Sequence, residues 1–288
     1  MTKLVMTRRL ASFALLAPPL FVSIIFFIVP LGLLFWVSIH GSSSSELYSD
    51  QITAENYIAI ISDSFYLTIV QRTLGAGATI LALCLVFGYA TAYVLAPLSP
   101  RARLWLLLLL SLPLLVSNVV RAYGWLTLLG RQGLVNVVLQ KAGAIDAPLV
   151  MLNTFQAVAF ALMTIMLPYM VISICNALAT IDSYYREAAQ SLRANPFQTF
   201  VHVTWPLSSP GVASGMLLVF LMSLSAYVAI VLLGGPRMKL LVSLIFDSAA
   251  TFRWPLAAAM SFVLLAIALV VCALILMVLR PQRVQGRG

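Results

Sequence analysis

Six long stretches of this sequence are almost wholly apolar: Leu10–Ile39, Leu67–Ala96, Leu104–Leu129, Val150–Ala177, Gly211–Leu233 and Leu256–Leu279. A helix rises about 1.5 Å per residue and a bilayer's hydrocarbon is about 30 Å thick, so each stretch is long enough to cross. In lipid the backbone must satisfy its own hydrogen bonds, and apolar runs of this length do so as helices. The sequence therefore predicts an all-α, polytopic membrane protein with six transmembrane helices in one domain over residues 1–288. Composition agrees. Charged residues make up only 9% of the 288-residue chain, against roughly 25% in a soluble domain, and the mean hydropathy is +1.05. The N-terminal apolar stretch is too long for a cleaved signal core of about 7–15 residues. It is expected to remain as a span, with a bend or interfacial lead-in at Pro18, Pro19 and Pro30. Pro113 and Arg121 shorten the lipid-facing part of the third stretch.

The net charge is +9. In a soluble chain that would suggest nucleic acid; here it follows from scarce carboxylates and basic loops, and implies contact with anionic lipid instead. With both termini cytoplasmic, one side collects Lys3, Arg8, Arg9, Arg101, Arg103, Arg186, Arg193, Arg280, Arg283 and Arg287. The other collects Arg72, Arg121, Arg131, Lys141, Arg237, Lys239 and Arg253. The loop from His40 to Tyr66 has no Lys or Arg and carries Glu46, Asp50, Glu55 and Asp63. These counts predict cytoplasmic N- and C-termini.

Several chemistries lack their residues. A phosphate-cradling loop needs lysine directly after glycine, but Lys3, Lys141 and Lys239 follow Thr2, Gln140 and Met238, so the chain binds no ATP in that way. No carboxylate falls near the middle of a stretch, where it would mark a proton relay or cation site. Cys84, Cys175 and Cys272 lie singly in apolar runs and read as small buried residues. His40 and His202 form no ligand cluster, so no metal is expected.

The polar segment 178–210, expected on the cytoplasmic side, predicts two short helices. Asp182 can cap the first. Tyr184, Ala188 and Leu192 then recur at i, i+4 and i+8, flanked by Tyr185 and Ala189, with Arg186, Gln190 and Arg193 around the other face. Asn195 can cap the second, with Pro196 at its first position and Gln198 three after the cap. Trp205–Pro206 is expected to end it. A chain without an ATP site must receive power mechanically, and a rigid helix with small residues can dock in a partner's groove; an ordinary amphipathic helix lying on the bilayer surface is the equal alternative.

This segment resembles the cytoplasmic signature of ABC importer permeases: Glu-Ala-Ala, three residues, Gly, nine residues, Ile, one residue, Leu-Pro. Here Glu187, Ala188 and Ala189 open it, Gln190 to Leu192 fill the spacer, and Val203, Thr204, Trp205 and Pro206 close it at the same spacing. Arg193 stands where the family has glycine, which would allow a left-handed helix end. Either the first helix runs on to Ala194 or the turn falls on Asn195. The runs Val119–Asn136 and Ser223–Pro236 look like the spermidine/putrescine permease group of type I importers. The resemblance implies a permease subunit, not an enzyme, in the bacterial inner membrane. It implies a partner pair of ABC ATPase subunits that use ATP and Mg, a second permease, usually a different chain, and a periplasmic binding protein. It also implies that Tyr184, Tyr185, Glu187, Ala188, Ala189, Leu192, Arg193, Asn195, Pro196 and Pro206 couple to the ATPase.

The resemblance suggests a polyamine or a related small solute; an amino-acid derivative, an opine or a phosphonate are alternatives. So is a stand-alone secondary transporter. With no carboxylate deep in a span, a cation would rely on aromatic faces, for which Tyr93, Tyr123, Trp125, Tyr169 and Tyr227 are candidates. Asn118, Arg121 and Asp247 are the polar candidates for the substrate path, although each aromatic could equally anchor at the lipid interface or pack the bundle.

Overall fold

The computed structural model describes residues 2–43, 47–236 and 238–279, with side chains from Pro18 onward. Arg237, Glu46 and the basic tail Arg280, Arg283 and Arg287, which entered the charge count, lie outside the described residues.

The chain is nearly all helical, and an isolated bridge between His40 and Ile52 is the extended pairing found among the described residues. Five helical stretches are long and apolar enough to cross a membrane: Pro18–Ser38, Ser64–Leu95, Phe155–Ala179, Pro196–Leu224 and Trp254–Val278. A bent pair, Pro100–Leu115 with Asn118–Lys141, supplies the sixth crossing if taken as one span. The third expected span, Leu104–Leu129, is thus corrected. It is not one rod but two limbs meeting at 91°. The cause is local. Pro113 lacks an N–H and sits in a 3₁₀ turn, Leu112–Leu115. Ser117 then caps a new helix, its side chain accepting from the Val119 N–H. The first helix, α1 (Thr2–Ser38), shows the opposite outcome. It carries Pro18, Pro19 and Pro30 without interruption.

Contacts divide the chain into two units. In the first, Met1–Asp63 with Ile245–Val263, α1 exposes apolar side chains on all sides from Leu20 to Trp36. Its end is fastened to α2 (Glu55–Ser62). Asn56 Nδ2 donates to the carbonyls of Ser38 (3.2 Å) and His40 (2.9 Å). Ser38 Oγ and Tyr57 Oη are 2.7 Å apart, and the His40 ring lies against Trp36 and Tyr48.

The second unit, Ser64–Leu244 with Leu264–Gly288, is built on α3 (Ser64–Leu95), α7 (Phe155–Ala179) and α10 (Trp205–Leu224). Between α3 and α7 run α4 (Pro100–Ser111), α5 (Asn118–Leu129) and α6 (Leu134–Lys141). The core holds Ile80, Cys84, Val158, Leu162, Met170, Ile174, Val219 and Phe220. Lipid tails are as apolar as leucine, so helices associate by close van der Waals packing, which small residues permit. Gly211 and Gly215 of α10 serve this purpose. A Cβ on Gly211 would lie 2.3 Å from Ala177 Cβ and 2.7 Å from the Ser173 carbonyl; one on Gly215 would lie 2.7 Å from Met170 Sδ. This pair of glycines, spaced by four, draws α10 onto α7 where α7 ends.

Candidate coupling site

Just beyond that contact, α8 (Ser183–Ser191) stands clear of the bundle with no buried residue. Its start is as expected: Asp182 Oδ1 accepts from the Tyr184 N–H at 3.0 Å. Its end is not. Neither expected alternative occurs: the helix does not reach Ala194, and the turn does not fall on Asn195. Arg193 itself takes φ +64°. The Ala194 N–H reaches the Ala189 carbonyl (3.1 Å) and the Arg193 N–H reaches that of Gln190 (2.9 Å). These two bonds are a Schellman cap, the ending that glycine usually makes. The backbone keeps the glycine conformation, with an arginine in it, because the cap satisfies two carbonyls at once. The strain is about 1 kcal/mol or more. Arg193→Gly is therefore expected to slow amide exchange at Ala194 roughly fivefold by relieving it; unchanged or faster exchange would refute the strain.

The second helix begins as read. Asn195 Oδ1 accepts from the Gln198 N–H (2.7 Å), and Gln198 Oε1 accepts from the Asn195 N–H (2.9 Å), with Pro196 at the first position. Its end is corrected. Trp205–Pro206 does not stop it: α9 (Pro196–Thr199) passes through a π turn, Phe200–Thr204, directly into α10. Pro206 cannot donate to an α-helical ladder. The wider turn, in which the Trp205 N–H reaches back to the Phe200 carbonyl, absorbs the defect without a break.

The exposed face of α8 carries Tyr184 (70% exposed), Tyr185, Ala188 and Leu192 (85%), with Glu187 also exposed and Ala189 half-buried. Behind it, an aromatic cluster unnoticed in the sequence joins this segment to α3. Tyr89 lies 5.5 Å from the ring of Phe200 and 5.3 Å from that of Trp205. Its hydroxyl is 2.9 Å from Ser208 Oγ. The one available signal was an aromatic residue near the end of a span with a polar tip that needs a partner. α8 packs on α9 and the π turn, and Phe200 and Trp205 carry that contact to Tyr89 of α3.

The eight substrate-path candidates lie on several elements, with Asn118, Arg121, Tyr123 and Trp125 on α5, which packs on the short helix Tyr227–Ala229. Tyr93 packs at 6.0 Å on Phe200, at the coupling end. Trp125 meets Phe160 edge-on at 5.3 Å, and Tyr227 is part-buried against the core. Tyr169 is half-buried in α7, and Tyr123 is exposed. Asn118 and Arg121 are bonded to each other, and Nε and Nη1 of Arg121 are buried without a partner. Asp247 belongs to the first unit, in the short apolar helix α12 (Leu241–Ala250) that follows α11 (Tyr227–Ala229).

A bundle of membrane spans that holds a capped, unburied helix outside its core, stiffly tied to the spans, is the architecture of a transport permease worked by a partner. The chain belongs to the family of binding-protein-dependent transport system inner membrane components, whose model matches residues 84–285. The spermidine/putrescine transport system permease protein PotB of Haemophilus influenzae is 34% identical over 239 residues, 83% of this chain and 83% of that protein. The protein of the same name from Escherichia coli K12 is 33% identical over 213 residues, 74% of this chain and 77% of that protein. The fold is shared with a crystal structure of a bacterial alginate ABC transporter, at TM-score 0.77 and 18% identity over 95% of both chains. The chain is thus a permease subunit of an ABC importer, a multi-pass inner-membrane protein and not itself an enzyme. Membership implies an ATPase, a substrate-binding protein and a second permease as partners.

Proposed function

We propose that this chain forms half of an import pore, pairing with a different permease chain, with both termini in the cytoplasm and α8 docked on the ATPase. The observation that carries this is α8 itself: nine residues, none buried, capped at both ends, facing solvent with Tyr184, Ala188 and Leu192. Residues 1–288 act as one permease domain. Glu187, Ala188, Ala189 and Leu192 make the docking face, with Tyr184 and Tyr185 beside them. Arg193, Asn195, Pro196 and Pro206 fix the geometry behind it. ATP and Mg belong to the ATPase; the permease itself uses no cofactor. The cargo is a small organic solute of the polyamine class or a related compound, delivered by a periplasmic binding protein. The similarity to two PotB proteins supports this class.

A carrier working alone would need a charge deep in a span to couple to an ion gradient. None of the long apolar spans contains a carboxylate. Reconstituted by itself, the chain is expected to show no gradient-driven uptake, with transport appearing only when ATPase, second permease and loaded binding protein are added. Uptake by the chain alone would overturn the proposal.

A further inference from the structure

The start of α7, at the far end of that helix from α8, carries a feature that the coupling machinery does not use. Leu149, Val150 and Met151, just before it, form no helix. They line a groove of about 540 Å³ together with Leu129 at the end of α5 and Gln156 and Phe160 of α7. Phe160 lies about 7.5 Å along α7 from Phe155, so the groove reaches down into the span. Irregular backbone at such a place is tolerated where it is buried in protein or lines a cavity.

The wall is fixed. Asn136 is fully buried. Its Nδ2 donates to the carbonyls of Gly130 and Leu149, each at 3.0 Å, and its Oδ1 accepts from the Leu149 N–H at 2.9 Å. Thr154 Oγ1 donates to the Met151 carbonyl at 2.6 Å and accepts from the Ala157 N–H at 3.2 Å. The Asn153 N–H donates to the Leu233 carbonyl at 2.8 Å. Sites for small molecules are usually preformed in this way.

The lining suits one kind of charge. Among its described residues there is no Lys, Arg, Asp or Glu. Leu129, Leu149 and Met151 give apolar walls. Phe160 is half exposed, and its ring is held edge-on by Trp125 at 5.3 Å. Gln156 is exposed and stands one helical turn before Phe160 on the same face. Among the described hydrogen bonds, none uses the Gln156 amide and none reaches the Val150 carbonyl.

We propose that this groove seats one end of a polyamine as it enters the pore, with Phe160 and Gln156 selecting it. A polyamine is a chain of methylenes that carries ammonium groups. The apolar walls take methylenes, the face of Phe160 attracts an ammonium, and the Gln156 and Val150 carbonyls accept its N–H bonds. Nothing in the described lining repels a cation, and nothing there offers an anion a charged donor. The inference rests on the permease reading, which puts this end of α7 on the outer side, where the binding protein delivers its load. It supplies the ammonium partner that spans without carboxylates must find elsewhere.

ATP-driven uptake of tritiated putrescine and spermidine is measured on the assembled importer in vesicles, with its binding protein outside. The wild type is expected to import at least one of them. Phe160→Leu should slow that import about tenfold, Phe160→Trp should keep it, and Gln156→Ala should slow it about threefold. Fluorinated phenylalanines at position 160 keep the ring's shape and weaken its negative face. The rate should fall with each added fluorine, which a residue needed only for packing would not show. A wild-type rate in Phe160→Leu, or a flat fluorine series, overturns the inference. So does loss of co-purifying phospholipid in Phe160→Leu with polyamine import intact, which would give the groove to a lipid chain. A wild type that imports another solute of its binding protein but neither polyamine overturns the inference and leaves the permease reading standing; a wild type with no ATP-driven uptake of any solute overturns both.

Discussion

Gly211→Leu is expected to abolish ATP-driven uptake while the chain still reaches the membrane. Gly211 sits where α10 meets the end of α7. Even one added carbon would lie 2.3 Å from Ala177 Cβ and 2.7 Å from the Ser173 carbonyl. One of these obstacles is backbone and cannot rotate away, so the two helices must part. Over-packing of this kind costs about 1–3 kcal/mol or more. Here the cost falls at the base of the coupling loop, since α8 begins a few residues after Ala177. Separation also removes the close contacts that hold helices together in lipid. Gly211→Ala should give an intermediate loss, and Gly75→Ala, where nothing stands within 4 Å, should be tolerated. Uptake in vesicles measures the series. Full activity in Gly211→Leu would show that α7 and α10 need not touch there.

The second large effect is expected at Glu187. Its side chain is exposed and no described ion pair depends on it, so reversal to lysine should cost the folded permease little. A charge facing a partner is different, because truncating or reversing one side of an interface pair changes complex lifetime and costs about 2–5 kcal/mol. Glu187→Lys should therefore insert normally, lose the ATPase on purification and lose uptake. Wild-type uptake in that variant would remove α8 from the coupling role.

Much of this was legible in the sequence because lipid leaves few choices. Long apolar runs become helices, and the caps at Asp182 and Asn195 were readable because each needs only one side chain at a fixed offset. Three turns of the backbone were hidden. The break at Pro113 was not separable from Pro30 in α1 or Pro168 in α7, which interrupt nothing, because neighbouring helices and local turns decide whether a proline interrupts a membrane helix. The turn at Arg193 went against residue preference, since two cap hydrogen bonds outweighed the unfavourable φ. The run through Pro206 required a π turn, which no periodicity announces. Side-chain meetings across helices, such as Tyr89 with Phe200, Trp205 and Ser208, depend on packing that a single sequence does not encode in any spacing.

The account turns on contact between α8 and the motor, and one measurement addresses that contact directly. Ala188→Cys places a thiol on an exposed face, whereas native Cys84 and Cys175 are buried and Cys272 is partly so. In the assembled, transport-active importer, a short reagent that is thiol-reactive at one end and photoactivatable at the other should join that position to the ATPase subunit. The yield should change between nucleotide-free and ATP-bound states, and linking should stop uptake. A transport-active complex in which this position links to nothing, or only to another permease, would contradict it.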